Sequence, residues 1–130
     1  MKFCPWYALD ERERHLPSGA GIFQIRVARG LIEYPRGKSA MLHYGWGDEL
    51  RAVVDAFAAE HPGRGWLCRH NEGGLSGLDG RERALGLAGS CQELIERFAQ
   101  RFGAAPALLV PAESATGRAL WAQLDERQSP

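Results

Sequence analysis

The amino-acid sequence predicts an α/β (α+β) fold in which a small antiparallel three-stranded sheet is flanked by helices. Short stretches alternate apolar and polar residues with the period of a half-buried strand. Two longer stretches repeat apolar residues at helical spacing, and turn-forming Gly and Pro residues separate all of them.

At the N-terminus, Trp6, Tyr7, Leu9 and Leu16 surround a charged run from Asp10 to Arg14, and Pro17-Ser18-Gly19 follows; this reads as a short helical lead-in closed by a turn. Phe23, Ile25 and Val27 then alternate with Gln24, Arg26 and Ala28, the signature of a strand, and Gly30 marks a hairpin turn into residues 31–34. Residues 35–39 break the pattern, and residues 40–45 resume it as a strand running into Gly45-Trp46-Gly47.

Asp48 is the expected N-cap of a helix over residues 49–61, in which Leu50, Val53, Val54, Phe57 and His61 share one side and which Pro62-Gly63 terminates. Residues 65–70 are a further strand candidate, and residues 71–80 form a Gly-rich loop. From Arg81 to Phe102, the apolar residues Leu87, Cys91, Leu94, Ile95, Phe98 and Phe102 make an amphipathic stripe that Gly103 stops. A last helix is expected from Ser114 to Glu126, with Leu120, Trp121 and Leu124 on its apolar side.

A chain of 130 residues, 45% hydrophobic and 25% charged, fits one globular domain: a core over 16–106, a lead-in over 1–15 and an extension over 107–130. Lys+Arg and Asp+Glu both number 16, so the whole molecule exerts no pull on nucleic acid or an anionic surface, and any such binding must come from a local patch. Cys4, Cys68 and Cys91 form no short motif, which argues for a reducing compartment. With no signal-like or membrane-spanning segment, a cytoplasmic protein without a membrane partner is expected.

The order hairpin, helix, strand, helix, with Gly21-Ile22-Phe23 opening one strand and His43-Tyr44-Gly45 ending the next, resembles the GIY-YIG nuclease superfamily. The run from Arg36 to Gly45 and the helix end Phe102-Gly103-Ala104-Ala105-Pro106 are similar to the corresponding stretches of that family. The resemblance implies a site where a metal-bound water attacks a DNA phosphodiester. A Tyr assists deprotonation, an Arg steadies the phosphate charge and a helix Glu holds the metal. Such a reaction needs a hard cation or a guanidinium aimed at developing negative charge.

Most of those side chains are replaced. Phe23 stands at the first Tyr and has no proton to exchange. His43 stands at the second and is a substitute base, although a lone strand His is more often structural. Val53 stands at the Arg, with Arg51 the nearest candidate on the flank of the helix. Cys91 stands at the Glu, and a thiol is a poor ligand for Mg²⁺. Glu93 lies roughly 200° around the helix from Cys91 and is expected in solvent.

Cys68 and His70 share a strand face and, with Cys91, Cys4 or His43, offer a zinc alternative, although buried thiols are the better reading. The Gly-rich loop lacks the Lys-Ser/Thr of a phosphate loop. Trp6, Trp46, Trp66 and Trp121 are core or stacking residues.

The leading expectation is a catalytically degenerate GIY-YIG-like binding module for nucleic acid or protein, with Arg26, Lys38, His43, Tyr44 and Arg51 as contacts and no metal or small-molecule cofactor. One alternative is a nuclease using Mg²⁺ or Mn²⁺, with His43, Tyr44 and Arg51 as catalytic candidates and Glu33 or Glu72 as a recruited metal ligand. The other is a protein-interaction domain.

Overall fold

The alternating stretch around Phe23 and Ile25 forms the central strand of the main sheet. A computed structural model describes residues 1–128. Its strands are β1 (Tyr7–Ala8), β2 (Gly21–Arg26), β3 (Ile32–Tyr34), β4 (Gly37–Ser39), β5 (Met41–Gly47) and β6 (Leu67–His70). Its helices are α1 (Leu50–Glu60), α2 (Gly80–Phe102) and α3 (Ala115–Gln128), with short 3-10 turns at Leu9–Arg14, Gly74–Gly77 and Ala107–Leu109.

The main sheet runs β1-β6-β2-β5, every pairing antiparallel. Residues 21–25 of β2 are all buried because both faces of the sheet are covered. On one face Phe23 and Ile25 join Leu50, Val54 and Phe57 of α1, together with Leu120 and Leu124 of α3. On the other, Ile22 packs with Leu78 and with Leu87 and Cys91 of α2.

The sheet has four strands where three were expected. The fourth, β1, lies within the stretch read as a helical lead-in; only residues 9–14 of that stretch are helical, as a 3-10 turn. Two residues are too few to display a period, so pairing with Cys68 and Leu67 decides the conformation. The hairpin after Gly30 also differs from expectation. Residues 32–34 pair not with β2 but with residues 37–39, across a turn at Pro35-Arg36, and make a separate two-stranded ribbon. The partner of β2 is β5, with Phe23 opposite Gly45 and Ile25 opposite His43.

Helix α1 follows its stripe, burying Leu50, Val54 and Phe57, but Glu49 rather than Asp48 is its N-cap and no side chain caps it. The Glu49 carboxylate instead accepts from the Gly19 amide, at 3.2 Å through Oε1, and holds the turn before β2. Helix α2 opens with a capping box: the Asp79 carboxylate accepts from the Glu82 amide, and the Glu82 side chain accepts from the Asp79 amide. Gly86, at φ +74° and ψ 175°, breaks α2 near its start, a conformation that favours glycine, and the stripe from Leu87 onward belongs to the second segment. Among the described residues no helix is long and apolar enough to cross a membrane.

Candidate functional site

Because successive strand residues face opposite ways, the adjacent His43 and Tyr44 lie on opposite faces of the sheet. The His43 ring packs 4.9 Å from Phe57 of α1 and 5.5 Å from Phe23, whereas Tyr44 meets Phe98 of α2 at 6.3 Å. Burial, with His61 adding repulsion, pushes the His43 pKa down to about 4. Its Nδ1 is buried without a protein hydrogen-bond partner. A base so weak and so enclosed is badly matched to proton abstraction near neutral pH.

The other candidate positions named from the sequence do not converge on His43. Arg51 donates through Nε and Nη2 to the Leu16 carbonyl oxygen, at 3.1 and 2.9 Å, and so braces α1 against the segment before β2. Val53 packs on Gly47, where a β-carbon would stand 2.6 Å from its Cγ1. Cys91 lies on the face opposite Phe23 and His43, beside Ile22 and Leu87, and burial pushes its thiol up to about 11.

Glu93 is not in open solvent as the helical frame suggested. Its side chain is 23% exposed because Arg81 and Arg97 close on its Oε1 at 3.1 and 2.5 Å. Lys38 sits on the β3–β4 ribbon, paired with Glu33 at 3.5 Å, and Glu72 lies 3.8 Å from Lys2. Neither acid is presented to His43 as a metal ligand by those contacts.

What the structure does assemble is a pair of arginines on the Tyr44 face. Arg69 of β6 stands directly opposite Gln24 of β2, and its Nε donates to Gln24 Oε1 at 2.7 Å. Arg26 is two residues further along β2 on the same face. Both guanidinium groups lie over one indole: the Arg69 carbon is 4.4 Å and the Arg26 carbon 4.7 Å from the Trp6 ring centroid, and Phe3 adds a second ring 5.0 Å from Arg69.

No described carboxylate pairs with Arg26 or Arg69, and Arg26 Nε is buried without a protein acceptor. Burial lowers the pKa of Arg69, the phenol of Tyr44 opposes that shift and the neighbouring Arg26 charge adds to it. Tyr44 is raised by burial, with Arg69 pulling the other way. The result is a half-buried cationic cluster beside a phenol and an amide, of a kind suited to an oxyanion.

Arg26 was expected from the sequence as a contact. Arg69, Gln24 and the clamp on Trp6 were not, because they depend on which strands become neighbours, and residues 24 and 69 are 45 positions apart.

The thiols and histidines are drawn into other contacts. Cys4 Sγ is 3.5 Å and Tyr7 Oη 2.9 Å from His70 Nδ1, while burial pushes the Cys68 thiol up to about 12. Among the described residues no group of three or more His, Cys, Asp or Glu side chains is placed to hold a metal ion. Compared with known proteins, the chain matches no family model, no curated protein and no solved structure.

Proposed function

We propose that the chain is a catalytically degenerate GIY-YIG-like domain that works as a nucleic-acid-binding module through the Arg26–Arg69 face. The observation that carries this reading is the pair of guanidinium groups over Trp6 that no described carboxylate neutralises. Such a pair supplies the local positive patch that the balanced net charge withholds from the molecule as a whole.

Support for the family frame comes from the succession β2, β5, α1, β6, α2 around a central β2, with the Phe23 of one motif opposite the Gly45 of the other. Support for lost catalysis comes from Phe23, Val53 and Cys91 at the expected catalytic positions, and from a His43 closed in by Phe23 and Phe57. A nuclease rebuilt on His43, Tyr44 and Arg51 would need three groups that point into different surroundings.

The test is a binding and cleavage titration on single-stranded, double-stranded and branched DNA, with and without Mg²⁺ or Mn²⁺, across a salt series. Binding that weakens as salt rises, without cleavage, is the expected result. Metal-dependent cleavage abolished by His43→Ala would replace this reading with the nuclease.

A protein partner is the second reading, favoured by Trp46, Leu75 and Leu85, which are large apolar side chains left exposed. Failure to bind any nucleic acid at low salt would shift the assignment to it.

A further inference from the structure

We infer that Arg26 and Arg69 together form a receptor for a single dianionic phosphate, the terminal phosphomonoester of a nucleic-acid strand, rather than a track for successive phosphodiesters. This rests on the nucleic-acid reading of the same face and narrows it to strand ends.

Most of the other cations are engaged elsewhere. Arg12, Lys38, Arg64, Arg81 and Arg97 are each ion-paired with an acid, Arg51 and Arg127 are tied to backbone carbonyls, and Arg14, Arg29 and Arg101 lack an acid among the described residues but share no ring with another cation. Arg26 and Arg69 have no acid among the described residues and lie over the same indole. Their charge is therefore concentrated at one place, where a strand track needs a line of cations at backbone spacing.

Geometry agrees with the charge. Arg69 spends its Nε on Gln24, which fixes the plane of the guanidinium and leaves its Nη groups as donors. Arg26 makes no side-chain hydrogen bond among the described residues; its Nε is buried, which leaves the Nη groups as its donors. One phosphate accepting from both forks, at N–H···O distances of about 2.7–2.9 Å, would relieve the repulsion between the two cations. A phosphodiester brings one negative charge to such a site, and a terminal phosphate brings nearly two at neutral pH. The Tyr44 hydroxyl, held neutral by its raised pKa, is a further donor near Arg69.

The experiment compares short single-stranded oligonucleotides of one sequence carrying a 5′-phosphate, a 3′-phosphate or hydroxyls at both ends, with binding followed by fluorescence anisotropy at several salt concentrations. A terminal phosphate is expected to tighten binding at least about tenfold, with a log–log salt slope for that increment near that of two phosphate contacts. Arg26→Gln and Arg69→Gln should each abolish the preference, whereas Arg81→Gln, on the Glu93 ion pair, should leave it intact.

Competition by inorganic phosphate against the wild-type protein reads the same site without a substitution, and it should displace the phosphorylated strand. Equal binding of phosphorylated and hydroxyl-ended strands overturns the terminal-phosphate inference while leaving the binding module standing. Failure of every oligonucleotide overturns both, even where inorganic phosphate still binds.

Discussion

The ring of Phe23 occupies the space above Gly45, its partner across the β2–β5 pairing, where a β-carbon at position 45 would stand 2.5 Å from Phe23 Cε1. The same β-carbon would come 3.1 Å from His43 Nε2. Gly45 is therefore fixed by the packing of the Phe23 ring and not by backbone conformation. Gly45→Ala should destabilise the fold by about 1–3 kcal/mol, the usual cost of overpacking a filled core. A urea titration measures it, and the double variant with Phe23→Leu should recover part of the loss; an additive double variant would show that the two residues are not in competition.

The buried His43 makes stability depend on pH with a definite sign. Its pKa falls from an ordinary value of 6.5 to about 4 in the folded protein, so between those limits the unfolded chain binds a proton that the folded chain refuses. The contribution of neutral His43 is fully present above pH 6.5 and is lost as the pH falls toward 4. About 3 kcal/mol is the upper order of that loss. His61 and His70 are lowered by burial too and add in the same direction. Replacing His43 with Phe should flatten, without abolishing, the decline in urea midpoint between pH 7 and pH 5, and an unchanged slope would assign the effect to the other histidines.

How much of this was legible in the sequence follows from the range of the forces involved. Helices α1 and α2 carry long apolar stripes, and Leu50, Val54, Phe57, Leu87, Cys91 and Phe98 are indeed buried. The separate ribbon of residues 32–39 is not legible because Gly30 and the turn at Pro35-Arg36 offer equally good reversals, and only tertiary contacts choose between them. One such contact is the Tyr34 hydroxyl, which bridges to Met41 and Ala107. The Arg26–Arg69 pair was half legible: the polar phase of β2 exposes Arg26 to reading, but its companion comes from a strand whose register the sequence does not encode locally.

Arg51 separates a structural role from a binding one. Its fork closes on the Leu16 carbonyl and makes no contact with the Arg26–Arg69 face. Arg51→Ala should lower stability by about 1–2 kcal/mol, within the range for hydrogen bonds to a charged donor reduced by partial exposure. It should leave the affinity of any oligonucleotide unchanged. A loss of binding with no change in the urea midpoint would return Arg51 to the list of contact residues.

Tyr34 fastens the β3–β4 ribbon to the rest of the core through one oxygen. Its hydroxyl donates to the Met41 carbonyl at 2.5 Å and accepts from the Ala107 amide at 3.0 Å, while its ring meets Phe98 edge-on at 4.9 Å. Burial pushes its pKa up to about 12, so the hydroxyl keeps its proton and its donor role through neutral and mildly alkaline pH. Tyr34→Phe preserves the ring contact and strands a carbonyl and a buried amide, at a cost of about 1–3 kcal/mol. Since the ribbon joins β2 to β5, the loss should be global: the urea midpoint should fall while amide exchange speeds up at Ala107 and across the β2–β5 pairing alike. Faster exchange confined to Ala107, with the midpoint unchanged, would mean that the ribbon is held by the Phe98 packing and that the hydroxyl is dispensable.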